Sequence, residues 1–140
     1  MTETRPRYTG GCLCGALRYE AEGEPRYAGL CYCTDCQKAT GSAFVGFMGF
    51  AAGDVRLSGA SASFSCKAAN GGDATRNSCP VCYSLVFGGD RERGADVNIY
   101  TGSLDDPSQF EPKIAIFTKD RAPWSPLPEG LRAFEAMPGS

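Results

Sequence analysis

Three cysteine clusters constrain this chain more than any other feature of its sequence. They are Cys12-Leu13-Cys14, Cys31-Tyr32-Cys33-Thr34-Asp35-Cys36 and Cys79-Pro80-Val81-Cys82. Seven of the eight cysteines lie in them, and Cys66 stands apart. In an exported chain this density reads as a disulfide framework; in a reducing compartment it reads as metal binding. The opening MTETRPRYTG has no apolar signal-peptide core. The sequence is therefore read as a cytoplasmic protein whose thiols hold metal.

Zinc in a structural site takes four ligands; in a catalytic site it takes three and leaves one position open. Seven clustered cysteines divide into four plus three. Cys12, Cys14, Cys79 and Cys82 are expected to form a closed site, and Cys31, Cys33 and Cys36 an open one. Two zinc ions are thus expected, one structural and one catalytic. The Cys12–Cys14 pair can share a metal only across a tight turn, for which Gly10, Gly11 and Gly15 supply freedom. Closing so long a loop with metal bonds should stabilise a small fold. Two other partitions stay open: Cys66 as an eighth ligand, or a three-cysteine site completed by an oxygen such as Asp35. Cys66 otherwise reads as a small buried apolar residue.

The second cluster also carries a reactivity signal. Thr34 followed by Gln37 fits a capping box, and Gly41 can end the short helix that follows. Cys36 then falls in the first helical turn, where backbone N–H groups favour a thiolate. An under-coordinated zinc there is a Lewis acid and can deprotonate an incoming thiol. The chain has no histidine, which excludes hydrolase mechanisms built on an imidazole base.

With 140 residues, 42% hydrophobic and 21% charged, the chain reads as one globular zinc-binding domain, 1–140. Its core should span about 8–124, with 125–140 an irregular tail; in the proline-rich stretch from Arg121, Trp124 is expected to anchor that tail into the body. A net charge of −2 without a basic stripe argues against nucleic acid. The longest apolar run, Ala43–Ala52, is glycine-broken and too short for a bilayer. Strands are expected at Leu17–Ala21, Ala43–Phe50, Val55–Leu57, Ser63–Lys67, Leu85–Phe87, Val97–Thr101 and Ile114–Thr118, so the fold should be mainly β with one short helix. Gly10-Gly11, Asn70-Gly71-Gly72 and Gly88-Gly89-Asp90 mark loops. Asp54, Asp90 and the Asp105-Asp106 pair read as turn formers.

The segments GGCLCGALRYEAEG, CYCTDCQKATGSAF, CPVCYSLVF, GSLDDPSQFEP and RAPW, in that order, resemble the glutathione-dependent formaldehyde-activating enzyme family, which includes centromere protein V-like proteins. The resemblance implies a β-tent of small antiparallel sheets organised around zinc. It implies a structural zinc on Cys12, Cys14, Cys79 and Cys82, and a catalytic zinc on Cys31, Cys33 and Cys36. The activity it implies is addition of the glutathione thiol to formaldehyde, giving S-hydroxymethylglutathione, a carbon–sulfur lyase reaction. Lys38 could then pair with a glutathione carboxylate. The chain departs from the family pattern at Tyr32 and Ala115, where histidine is frequent, at Tyr83, where glycine is usual, and at Asn77-Ser78, where an aromatic residue is usual. These departures motivate a second reading, a non-enzymatic structural or protein-interaction zinc module.

Overall fold

The computed structural model describes residues 5–68 and 71–138. Along the chain run β1 (Arg7–Gly11), β2 (Arg18–Glu22), β3 (Tyr27–Cys31), α1 (Thr34–Thr40), β4 (Val45–Phe50), β5 (Val55–Ser58), β6 (Ala62–Lys67), β7 (Asp73–Ser78), β8 (Leu85–Gly88), β9 (Val97–Tyr100), β10 (Ile114–Ile116) and β11 (Arg132–Ala133). The fold is mainly β; the described residues form one α-helix among short 3-10 turns. Among the described residues, no helix is long and apolar enough to cross a membrane.

Two sheets form. The smaller is antiparallel, in the order β1-β2-β5; the larger has the order β11-β10-β3-β4-β9-β8-β7-β6. The larger sheet is antiparallel from β3 to β6 but mixed at one end, where β10 runs parallel to both β3 and β11.

Side-chain alternation explains the core. On β2, Tyr19 and Ala21 point inward while Arg18, Glu20 and Glu22 stay partly in water. β4 is a central strand buried on both faces, which is why it reads as a continuous apolar run. Met48 and Phe50 join Leu17, Val86, Val97 and Ile99 in the main core, which ties the two sheets together. Val45 and Phe47 belong to a second cluster with Cys31 and Ile116. The cysteines therefore sit on a packed platform.

Several local expectations change. Thr34 is the first residue of α1, not its cap; the cap is Cys33, whose sulfur accepts the Cys36 N–H at 3.2 Å. Gln37 does not close a capping box, because its amide donates to the carbonyls of Tyr32 (2.7 Å) and Asp120 (3.0 Å). Gly41 does end the helix, in the left-handed conformation. Gly10 and Gly11 are the last residues of β1 rather than a loop. Gly10 is required by close approach, since a Cβ there would lie 2.2 Å from the Ser103 carbonyl oxygen. Trp124 is 74% exposed and anchors nothing. The tail is instead held by the buried Tyr32, whose hydroxyl donates to the Pro126 carbonyl at 2.7 Å, and by β11. In the Asn70-Gly71-Gly72 loop signal, Asn70 lies outside the described residues, while Gly71 turns with a positive φ.

Candidate metal centres

The four sulfurs of Cys12, Cys14, Cys79 and Cys82 lie within 4.8 Å of one another. Cys12 and Cys14 leave the end of β1 in a tight turn, closed by hydrogen bonds from Cys12 N–H to the Leu17 carbonyl (2.9 Å) and from Gly15 N–H to the Cys12 carbonyl (3.2 Å). Gly15 takes φ 84° there, a conformation that costs a side chain dearly. Cys79 and Cys82 flank the turn from β7 to β8. The Cys79 sulfur accepts the N–H groups of Val81 (3.3 Å) and Cys82 (3.5 Å). Tyr83 closes this knuckle at φ 63°, the left-handed position usually given to glycine, and its ring is 80% exposed. Ser84 links the halves: its hydroxyl oxygen accepts the Leu13 N–H at 3.1 Å and lies 3.2 Å from the Cys82 sulfur. The Ser84 hydroxyl, then its backbone, hold the Cys82 thiol down to about 5.

Cys31, Cys33 and Cys36 form a second group, again within 4.8 Å. Cys31 ends β3 on the buried platform, and Tyr32 turns to the opposite side against Phe44, leaving Cys31 and Cys33 to converge. Cys36 returns from the first turn of α1 and places its sulfur 3.2 Å from that of Cys31. Hydrogen bonds from the other two sulfurs pull the Cys33 thiol well down, helped by the Cys36 N–H and the Arg76 charge. The same contacts, with burial, push Cys31 up.

The donor sets fit zinc. All eight cysteines are free thiols. Cys12 and Cys14 sulfurs are 3.6 Å apart, and Cys14 and Cys79 sulfurs 3.7 Å. A zinc tetrahedron of thiolates has an edge of about 3.8 Å, from a Zn–S bond of about 2.3 Å. Three sulfurs so close cannot all ionise unless a cation offsets their repulsion. Both clusters could therefore hold a metal ion. Cys66 joins neither group, and neither does the exposed Asp35.

Arg76 on β7 completes the surroundings of the second group. Its guanidinium lies 3.9 Å from the Cys36 sulfur and 3.7 Å from that of Cys66, and it is partly buried. No pattern in the polar sequence of β7 marks it. A cleft of about 480 Å³ opens beside Cys31 and Cys36, with walls from β4, β9 and β10. A larger cleft of about 740 Å³ on the far side of Val45 and Tyr100 contains no thiol, so the smaller one is the chemically relevant space. Lys38 is exposed on α1 and lines neither cleft.

No curated protein sequence matches the chain. Among solved structures, it is similar to a crystal structure of a Rhodobacter sphaeroides protein determined as a structural genomics target. The two share 20% identity and a TM-score of 0.49, over 72% of this chain and 93% of that one. The family model described as glutathione-dependent formaldehyde-activating enzyme matches residues 7–120, a span that holds both cysteine groups. On that match, the chain belongs to the glutathione-dependent formaldehyde-activating enzyme family.

Proposed function

We propose that this protein is a zinc-dependent carbon–sulfur lyase that joins a thiol to an aldehyde, with glutathione and formaldehyde as the pair the family description supplies. Cys12, Cys14, Cys79 and Cys82 hold a structural zinc. Cys31, Cys33 and Cys36 hold a catalytic one. The observation that carries this reading is the unequal ligand count: four converging thiols at one centre, and three beside an open cleft at the other.

In the reaction the thiol sulfur bonds to the carbonyl carbon. The carbonyl π pair becomes a hydroxyl on taking up the proton the sulfur released. When bound, zinc supplies a Lewis acid that keeps a thiol ionised at neutral pH. The chain's own residues do the rest. Cys33, anchored by the Cys36 N–H, fixes the ligand geometry at the start of α1. Gln37 locks that turn to Tyr32 and Asp120. Arg76 sets a positive charge beside Cys36, which offsets an additional anionic sulfur. Without histidine in the chain, water carries the proton to the new hydroxyl. The reduced thiols this needs belong to a cytoplasmic protein.

The zinc-loaded protein, mixed with glutathione and 13C-formaldehyde, should speed the exchange into S-hydroxymethylglutathione seen by NMR. Cys33→Ser should abolish that acceleration while keeping the fold. Equal exchange in wild type and variant would refute the reading.

One observation favours a second reading, a protein-interaction module. Leu13, Val81 and Tyr83, exposed by 90%, 68% and 80%, all lie on the two turns of the four-cysteine centre. Three exposed apolar side chains around one cysteine centre suit a docking contact.

A further inference from the structure

The cleft beside Cys31 and Cys36 is built for more than a one-carbon substrate. Its volume, about 480 Å³, is that of a pocket for a small organic molecule. Formaldehyde is close in size to a water molecule, whose share of volume is about 30 Å³, and would leave nearly all of it empty. Val45, Phe47, Ile114 and Ile116 line it, together with Tyr27 and Met137. Among the described residues, no lysine, arginine, aspartate or glutamate lines it. Asn98 and the hydroxyls of Tyr27 and Tyr100 are, apart from the two thiols, the polar groups of its described lining side chains. The nearby Arg76 is set against the Cys36 sulfur; the charged ends of glutathione would find no other counter-charge among the described lining residues, and burying them unpaired is costly. The body of the thiol must therefore lie outside, and the space is left for the other reactant.

We propose that this cleft takes the apolar body of an alkyl or aryl aldehyde, so that the three-cysteine centre selects a larger aldehyde over formaldehyde. The inference rests on the thiol–aldehyde reading above and names the substrate class of the same site. The chemistry balances as before: sulfur bonds to the aldehyde carbon, the released proton ends on the new hydroxyl, and no oxidant or reductant is needed. The substituent on that carbon lies along Val45, Phe47 and Ile114, with the reacting carbon at Cys31 and Cys36.

The test is a binding series on the zinc-loaded protein, with S-methyl-, S-propyl- and S-pentylglutathione as inert analogues of the adducts, measured by calorimetry. Each methylene buried in the cleft should tighten binding about two- to fourfold, so the pentyl analogue should bind at least tenfold tighter than the methyl one. Ile114→Glu, which sets a charge in the wall, should flatten the series. Asn98→Leu, which removes a polar wall, should steepen it and serves if the first variant does not fold. A flat series in the wild type overturns the inference, and leaves the thiol–aldehyde reading standing if the formaldehyde exchange is detected. A rising series with no adduct formed from any aldehyde overturns that reading, and with it the assignment of the cleft to an aldehyde.

Discussion

Asn77 should be the most costly polar residue to remove outside the two cysteine groups. It is 4% exposed and sits where the register shifts between β7 and β8, two residues before Cys79. Its amide donates to the carbonyls of Phe87 (3.2 Å) and Gly89 (2.9 Å), and its oxygen accepts the Ser63 hydroxyl at 2.6 Å. The bond to Phe87 is fully buried; the other two are partly open to solvent. Losing a partner of a buried group costs about 1–3 kcal/mol, and losing a wetter bond about 0.5–1.5 kcal/mol. Asn77→Ala should therefore cost about 2–6 kcal/mol, a melting shift of roughly 6–24 °C at this chain length. Ser63→Ala removes one wetter bond and should cost about 1 kcal/mol or less. Asn77→Asp keeps the bond to Ser63 but turns an oxygen toward two carbonyls, so it should be no better than alanine. The assay is urea unfolding followed by circular dichroism, in saturating zinc, so that metal loss does not mix with the hydrogen-bond effect. A cost below about 1 kcal/mol for Asn77→Ala would refute the argument that this side chain holds the bulge beneath the Cys79–Cys82 knuckle.

Other perturbations have defined signs. Tyr83 holds a left-handed backbone with its ring in water, so Tyr83→Asn should stabilise by about 0.5–1 kcal/mol and Tyr83→Val should destabilise, both read from unfolding midpoints. Arg18, then Thr9, hold the Asp105 carboxyl at about 2, below its ordinary 3.8. A depressed carboxyl stabilises above its unfolded value and loses that contribution as pH falls through its folded one. The stability gap between wild type and Asp105→Asn should therefore be full at neutral pH and close between roughly pH 4 and pH 2. Arg76→Met should weaken binding of an anionic thiol at the three-cysteine centre several-fold, and Arg76→Lys should restore part of it, as titrated by calorimetry.

The grouping of the cysteines was legible because the number of thiols a metal takes constrains how they can be shared out before the fold is known. Spacing paired Cys12 and Cys14 with Cys79 and Cys82 across the chain, and the sulfurs meet there. Strands with clear alternation or long apolar runs, β2 and β4 above all, were legible too. Others left no such trace. β3 is buried on both sides without alternating, and β7, reading DATRNS, is polar because it lies between β8 and the exposed β6. Arg76 comes from that strand, so its place beside Cys36 is a product of sheet pairing. The helix cap went to a cysteine sulfur because Cys33 already stands at the turn that gathers its cluster, displacing the expected Thr34. Trp124 was expected to anchor the tail, yet the neighbouring Ser125 is the residue that is buried, at 1% exposed. Tail docking here runs through backbone carbonyls and β pairing, which side-chain hydropathy does not report.

The central claim is that the two cysteine groups are unequal metal centres. Metal content with timed chelator removal tests it most directly. The account predicts two zinc ions per chain, one released quickly and one slowly, with Cys33→Ser losing only the fast one and Cys79→Ser losing the slow one. A single zinc per chain, or two released at the same rate in the wild type, would contradict it.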